Sequence, residues 1–192
     1  MRTTIAVDDD PSTQLLFEQA LEHIARSYRR TFSADTRIRP SRLVITTDPT
    51  GAVACAASIR CNDEAFFSQQ YLDAPVSELL SRRTGLAVGP VEILEVGGLA
   101  CSSPFSAYPT LRALFEWGRE RGISWGLFTA TTEVRRLIQR ARITPLMLAS
   151  ADASRVLDPD QWGDYYDHDP WVCAFRDPVQ LADAAIPRAE TA

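Results

Sequence analysis

The sequence contains no lysine: all 20 of its basic residues are arginine. That excludes a Schiff-base nucleophile, a pyridoxal anchor and the lysine of a phosphate-binding P-loop. Cysteine is sparse too. Cys55, Cys61, Cys101 and Cys173 show no C-x-x-C spacing, and the two histidines, His23 and His168, are far apart. Neither a disulfide framework, a structural zinc site nor any other metal site is expected from such spacing. Long apolar runs are missing, since no stretch approaches the roughly 18 residues a membrane span requires. Asp8, Asp9 and Asp10 fall where a signal peptide would carry its apolar region. The expectation is a cytoplasmic protein with no membrane insertion. Net charge is -5, which argues against nucleic-acid binding through phosphate neutralisation. The arginine bias, with a single asparagine and much alanine, looks like genome composition, so no single arginine stands out by type.

What is present is one domain's worth of alternating helix and strand patterns. Gln14 to Arg30 has helical spacing, with Leu15, Leu16, Ile24 and Tyr28 set among charges after Pro11 and Ser12. Residues 42–47 and 52–60 read as strands joined by the turn-forming Asp48, Pro49, Thr50 and Gly51. Asp63 to Gln70 offers one or two helical turns, and Pro75 opens a short helix to Arg83. Residues 91–100, 124–129, 143–149 and 171–175 read as strands. Ala107 to Arg121, closed by Gly122 as a left-handed cap, and Thr132 to Arg142, with Val134, Leu137, Ile138 and Ala141 on one face, read as helices. The order implies a single α/β domain over 1–180, a mixed sheet with helices on both faces, followed by a flexible tail over 181–192.

The run from Val91 to Ala100 carries the most chemistry. Period-two alternation sets Ile93, Glu95, Gly97 and Leu99 on one face and Leu94, Val96, Gly98 and Ala100 on the other. Glu95 is therefore an acid among apolar neighbours in a central strand. Burial would raise its pKa and suit it to act as a general base; equally, it could pair with an arginine or cap nearby backbone groups. Two consecutive glycines in a strand mark a bulge or a close approach to the backbone. Cys101 follows directly, but has no histidine near it in sequence to make it a nucleophile. The acids, phenols and tryptophans from Trp162 to Trp171 could hold a cationic amine, or could form an acidic surface loop pinned to the core by Trp162 and Tyr166.

Glu95-Val96-Gly97-Gly98-Leu99-Ala100, Gln70-Tyr71-Leu72-Asp73, Phe128-Thr129-Ala130-Thr131, Ala149 to Asp152, and Trp162-Gly163-Asp164-Tyr165-Tyr166 with Pro170 and Val172 together resemble the thermostable hemolysin family. That family is similar in turn to GNAT-fold acyltransferases and acyl-homoserine-lactone synthases. The resemblance implies a GNAT-like fold and transfer of an acyl group from an acyl-pantetheine thioester to an amine of a small metabolite. The carrier would be an acyl carrier protein or coenzyme A, with no tightly bound cofactor. It places Glu95 as catalytic base or amine anchor. Val96, Gly97, Gly98, Leu99, Ser102, Ser103 and Thr129 would bind the thioester arm, and Tyr71, Trp162, Asp164 and Tyr165 the acceptor. No arginine occurs between Arg83 and Arg112 to bind a pyrophosphate, which disfavours coenzyme A. Arg135, Arg136, Arg140 and Arg142 offer a patch that an acidic carrier protein would fit. Gly98 stands where the lactone synthases commonly carry an arginine, which argues against lactone formation. The family name implies a membrane-active cytolysin as the alternative, and a non-catalytic acyl-binding domain is a third reading.

Overall fold

The computed structural model describes residues 1–36, 39–140 and 144–177. Its centre is one seven-stranded sheet in the order β1-β2-β3-β4-β5-β7-β6. β1 (Arg2–Val7), β2 (Arg42–Thr47), β3 (Val53–Arg60) and β4 (Ile93–Cys101) form an antiparallel meander. β5 (Trp125–Ala130) runs parallel to β4, and β7 (Trp171–Arg176) and β6 (Leu146–Ser150) complete the sheet antiparallel. β1 is an addition to the elements expected from sequence. Its six residues lie at the sheet edge and bury only Ala6 fully, so they give little apolar alternation to read.

α1 (Gln14–Phe32) and α2 (Val76–Thr84) cover one face of the sheet, and α3 (Pro104–Arg119) and α4 (Thr132–Arg140) the other. Side chains alternate between the two covered faces along the central strands, so consecutive residues are buried. Leu43 and Ile45 of β2 pack under Phe17 and Ala20 of α1, while Val44 meets the α3 side with Leu114. In β5, Trp125 and Leu127 join the Tyr71, Leu72, Val76 and Leu80 cluster, whereas Phe128 and Ala130 meet Val134 and Ile138 of α4. Two helix faces differ from expectation. Leu15 and Leu137 are solvent-exposed, because the buried stripe of α1 is centred on Phe17 and Ala20 and that of α4 on Val134 and Ile138. α3 begins three residues earlier than expected, with Pro104 in its first turn, where the missing N–H costs nothing. Gly122 takes the expected left-handed φ of 72°, but three residues beyond Arg119, where the helix ends. The expected tail over 181–192 lies outside the described residues, as do residues 141–143.

A buried hydroxyl pair ties α3 to the sheet. Thr110 Oγ1 lies 2.6 Å from Thr46 Oγ1 and donates to Ser106 O at 2.8 Å, and both threonines are fully buried. Thr46 keeps a second partner, Thr3 Oγ1, at 2.9 Å. Thr110→Val is expected to cost about 1 kcal/mol, read as a melting temperature lower by roughly 2–4 °C. An unchanged melting temperature would show that the pair contributes nothing.

Cys55 and Cys101 lie opposite each other in the β3–β4 register and are joined by a disulfide. This corrects the expectation of unpaired cysteines: the two are 46 residues apart and only strand pairing brings them together. It also removes Cys101 as a free thiol.

Candidate active site

The β4–β5 ladder runs from Ile93↔Trp125 to Val96↔Phe128 and stops. β4 continues to Cys101 against β3, and β5 continues to Ala130 against β7, so the two parallel strands part beyond Val96. The cause is in β4. Between the pairs Ser58↔Gly97 and Ala56↔Ala100 the register slips, leaving both Gly98 and Leu99 across from Ala57. Gly98 has φ 58°, a left-handed conformation open to glycine at little cost, as in a glycine-type bulge. A Cβ on Gly98 would also stand 3.2 Å from Ile24 Cγ2 of α1. The bulge alters the facing expected from simple alternation. Ala100, opposite Ala56, returns to the face of Glu95 and Gly97, and Leu99 leaves it.

Beside the parting strands, under α1, is a cavity with a water-accessible interior of about 80 Å³ and a total void, open mouth included, of about 780 Å³. Glu95, Gly97, Ser58, Arg60 and Thr129 come from the sheet, and Leu21, Ile24, Ala25 and Tyr28 from α1. Phe67, Ser68 and Tyr71 come from the 3-10 turn Phe67–Tyr71, and Trp162 and Tyr165 from the loop before β7. Trp162 packs on Phe67 and on Tyr165 with ring centroids 5.3 Å apart in each case, and Tyr28 stacks on Tyr165 at 6.3 Å. Burial pushes the Tyr28 phenol up to about 12 and raises Tyr71 and Tyr165 as well, so these walls stay neutral.

Glu95 is buried, 3% exposed. Its carboxylate accepts the Phe67 N–H at 2.5 Å, the Ser68 N–H at 2.7 Å and the Ser68 hydroxyl. Of the roles open to it from sequence, capping of backbone groups is therefore realised, while the side chain still borders the cavity. Burial raises its pKa, and the Ser68 and Phe67 bonds pull it back only in part. Ser68 Oγ also lies 2.8 Å from Thr129 Oγ1, so a hydroxyl pair connects the carboxylate to the strand end where β5 leaves β4. The Tyr165 hydroxyl donates to Thr129 O at 3.3 Å.

The structure gathers Glu95, Val96, Gly97, Gly98, Thr129, Tyr71, Trp162 and Tyr165 around this cavity. Ser102 and Ser103 are in the turn between β4 and α3 and take no part in lining it; Ser103 is the residue before α3, and its carbonyl accepts the Ser106 hydroxyl at 2.8 Å. Asp164 does not join them: it is solvent-exposed, held through its backbone N–H to Phe32 O at 2.9 Å. Tyr71 spends its hydroxyl on Tyr166, 2.7 Å away, and contributes ring surface. Arg135 is not displayed for a partner either. It is committed to Ala130 O at 2.8 Å, Asp169 O at 2.5 Å and the Asp169 carboxylate at 2.6 Å. Arg136 is exposed, whereas the Arg140 side chain and all of Arg142 are outside the described residues. No metal-holding group of side chains occurs among the described residues. Sequence reasoning missed Arg60, Phe67, Ser68 and Tyr28. The only signal for Ser68 was its place in a polar run near Tyr71, and Arg60 was hidden among 20 arginines.

A mixed sheet whose central parallel strands part over a cavity defines a GNAT-like fold. The chain belongs to the thermostable hemolysin family, whose model matches residues 11–179. Among solved structures it is similar to FeeM, an N-acyl amino acid synthase from uncultured soil microbes, at 13% identity and TM-score 0.60, covering 92% of this chain and 95% of that one. The AHL synthase LasI matches at 14% identity and TM-score 0.59, covering 91% and 88%. TofI, solved in a ternary complex with an inhibitor and MTA, matches at 12% identity and TM-score 0.60, covering 92% and 91%. At such identities the likeness establishes a shared fold. No curated protein sequence matches the chain. No helix among the described residues is long and apolar enough to cross a membrane.

Proposed function

We propose that the protein is a cytoplasmic N-acyltransferase that moves an acyl group from a pantetheine thioester to the amine of a small metabolite. The thioester is carried by an acyl carrier protein, with coenzyme A as the alternative carrier. The observation that carries this reading is the parting of β4 and β5 at Val96 and Phe128 directly beside the cavity that Glu95 borders. Its likeness to proteins described as an N-acyl amino acid synthase and an AHL synthase supports it.

In this reading the pantetheine arm lies between the strands, its amides pairing with backbone groups from Val96 to Leu99, of which Gly97 to Leu99 have no β5 partner. Its phosphate lies toward Ser102, Ser103 and the start of α3, where backbone N–H groups and the helix dipole favour an anion. Arg136 on α4 faces the carrier. The acceptor occupies the cavity. Its nitrogen attacks the thioester carbonyl carbon, a C–N bond forms, and the C–S bond breaks to release the thiol. The amine proton passes to Glu95, directly or through the Ser68 hydroxyl, and returns to the departing thiolate. A carboxylate raised by burial is suited to this because it holds a proton more readily than an ordinary glutamate.

The test is acceptor-dependent thiol release from acyl-carrier or acyl-coenzyme A thioesters, with the amide product identified by mass spectrometry. Absence of release across a broad amine panel would overturn the reading. Ser68→Ala removes the hydroxyl joining Glu95 to Thr129 and leaves both backbone N–H bonds in place. The expected result is a fall in kcat of about tenfold to a hundredfold with the melting temperature nearly unchanged. Full turnover in this variant would remove Ser68 from the proton path.

A further inference from the structure

We propose that the acceptor is an α-amino acid with an apolar or aromatic side chain, its carboxylate bound by Arg60. This rests on the acyl-transfer reading and names the substrate class for the same cavity. Arg60 ends β3 and is the register partner of Glu95, so both side chains rise from the same face of the sheet. Both border the cavity. The Arg60 side chain is only 18% exposed. It donates one N–H to Ala65 O at 3.2 Å, and the facing acid, Glu64, stands 3.6 Å away with its other oxygen on the Ser41 hydroxyl at 2.6 Å. The rest of the guanidinium fork has no hydrogen-bond partner among the described residues.

The charge balance of the cavity decides the ligand's sign. Arg60 and Glu95 are the acid and base in its lining apart from the tyrosines, whose phenols burial keeps neutral. Glu95 is already answered by two backbone N–H groups and a hydroxyl. Arg60 is the less satisfied charge, and a planar fork of donors suits a carboxylate best. A purely cationic acceptor would leave unused the donors that remain to that guanidinium beyond its ion pair with Glu64.

Spacing supplies the second argument. Cross-strand partners have Cβ atoms about 4.5–5.5 Å apart, and an α-amino acid separates its carboxylate from its nitrogen by one carbon. A carboxylate on Arg60 therefore brings the amine toward Glu95. The remaining walls, Phe67, Trp162 and Tyr165 among them, are apolar or neutral and match an apolar side chain.

The test is calorimetric binding to the full chain, without any acyl donor, of L-phenylalanine and L-leucine against their decarboxylated counterparts, phenethylamine and 3-methylbutylamine. Each amino acid is expected to bind at least about tenfold more tightly than its amine, as a charge-assisted bond to a partly buried cation implies. Arg60→Gln should abolish the difference and Arg60→Lys should keep part of it, with circular dichroism confirming the fold. If the glutamine variant does not fold, the wild-type comparison and the lysine variant decide. Equal binding of acid and amine, or binding of neither, overturns the inference. Thiol release separates the two proposals. Turnover only with amines that lack a carboxylate sinks this one and leaves acyl transfer standing. Arg60-dependent amino acid binding with no turnover for any amine does the reverse.

Discussion

Glu95→Gln is expected to lower kcat/KM for acyl transfer by two to four orders of magnitude, the usual worth of a positioned general base. The amide is nearly isosteric, but the Phe67 and Ser68 N–H groups donate to different carboxylate oxygens, so the amide oxygen keeps one of them and the NH2 faces the other. The exchange therefore removes one of these backbone bonds as well as the proton acceptor, and a fall in rate alone does not separate the two. The pH profile provides the decisive readout. Burial holds the Glu95 pKa above its ordinary value, so wild-type activity should rise with pH along a limb displaced above the usual carboxylate range, and that limb should vanish from the variant's residual activity. The sign for stability runs opposite to that for activity. A carboxyl whose pKa is raised on folding contributes most at pH below its unfolded value and loses that contribution as pH rises through the folded one. The stability advantage of wild type over the glutamine variant should therefore narrow between acidic and neutral pH. A variant that retains full activity, or one whose activity follows the wild-type pH limb, would remove Glu95 as base.

Gly163→Ala should produce the largest loss of stability. Gly163 has φ 55° and ψ −126°, and a Cβ there would stand 1.9 Å from Phe32 O and 2.8 Å from Ser33 C. Both obstructing atoms are backbone, at the end of α1, and cannot swing aside as a side-chain tip can. The surrounding contacts are also backbone: Asp164 N–H donates to Phe32 O at 2.9 Å and Asp35 N–H to Gln161 O at 2.8 Å. Relieving the overlap means separating the loop from the helix. A cost of about 3–5 kcal/mol is expected from the left-handed backbone and the broken bonds together, a drop in melting temperature on the order of 10 °C. Because Trp162 and Tyr165 flank this point and wall the cavity, amino acid binding should weaken in the protein that remains folded. A drop of under 2 °C would show that the loop adapts freely.

The elements that could be read in advance are those with a local cause. The β2–β3 hairpin followed from its turn residues: Asp48 accepts the Thr50 and Ala52 N–H groups, at 2.8 and 3.1 Å, and Gly51 takes φ 89°. α2 followed from Pro75 before it and Gly85 after it, the latter left-handed at φ 72°. Glu95 was visible as an acid in an apolar strand, and the paired glycines as a place where β4 is irregular. The Cys55–Cys101 bond, the Ser68 hydroxyl and the Arg60 fork were invisible, since each depends on chain segments more than 25 residues away. The Trp162 to Tyr166 run was conspicuous by composition, yet composition could not tell that Trp162 and Tyr165 turn inward and Asp164 outward.

By itself the sequence determined where the chain turns, which segments alternate with period two or 3.6, and that one acid sits in the middle of a buried strand, because torsional preference and hydrophobic spacing act over a few neighbours. Only the tertiary structure decided what that acid touches and which arginine shares its cavity. Those depend on strand register, and a one-residue bulge at Gly98 is enough to change which side chains face the site.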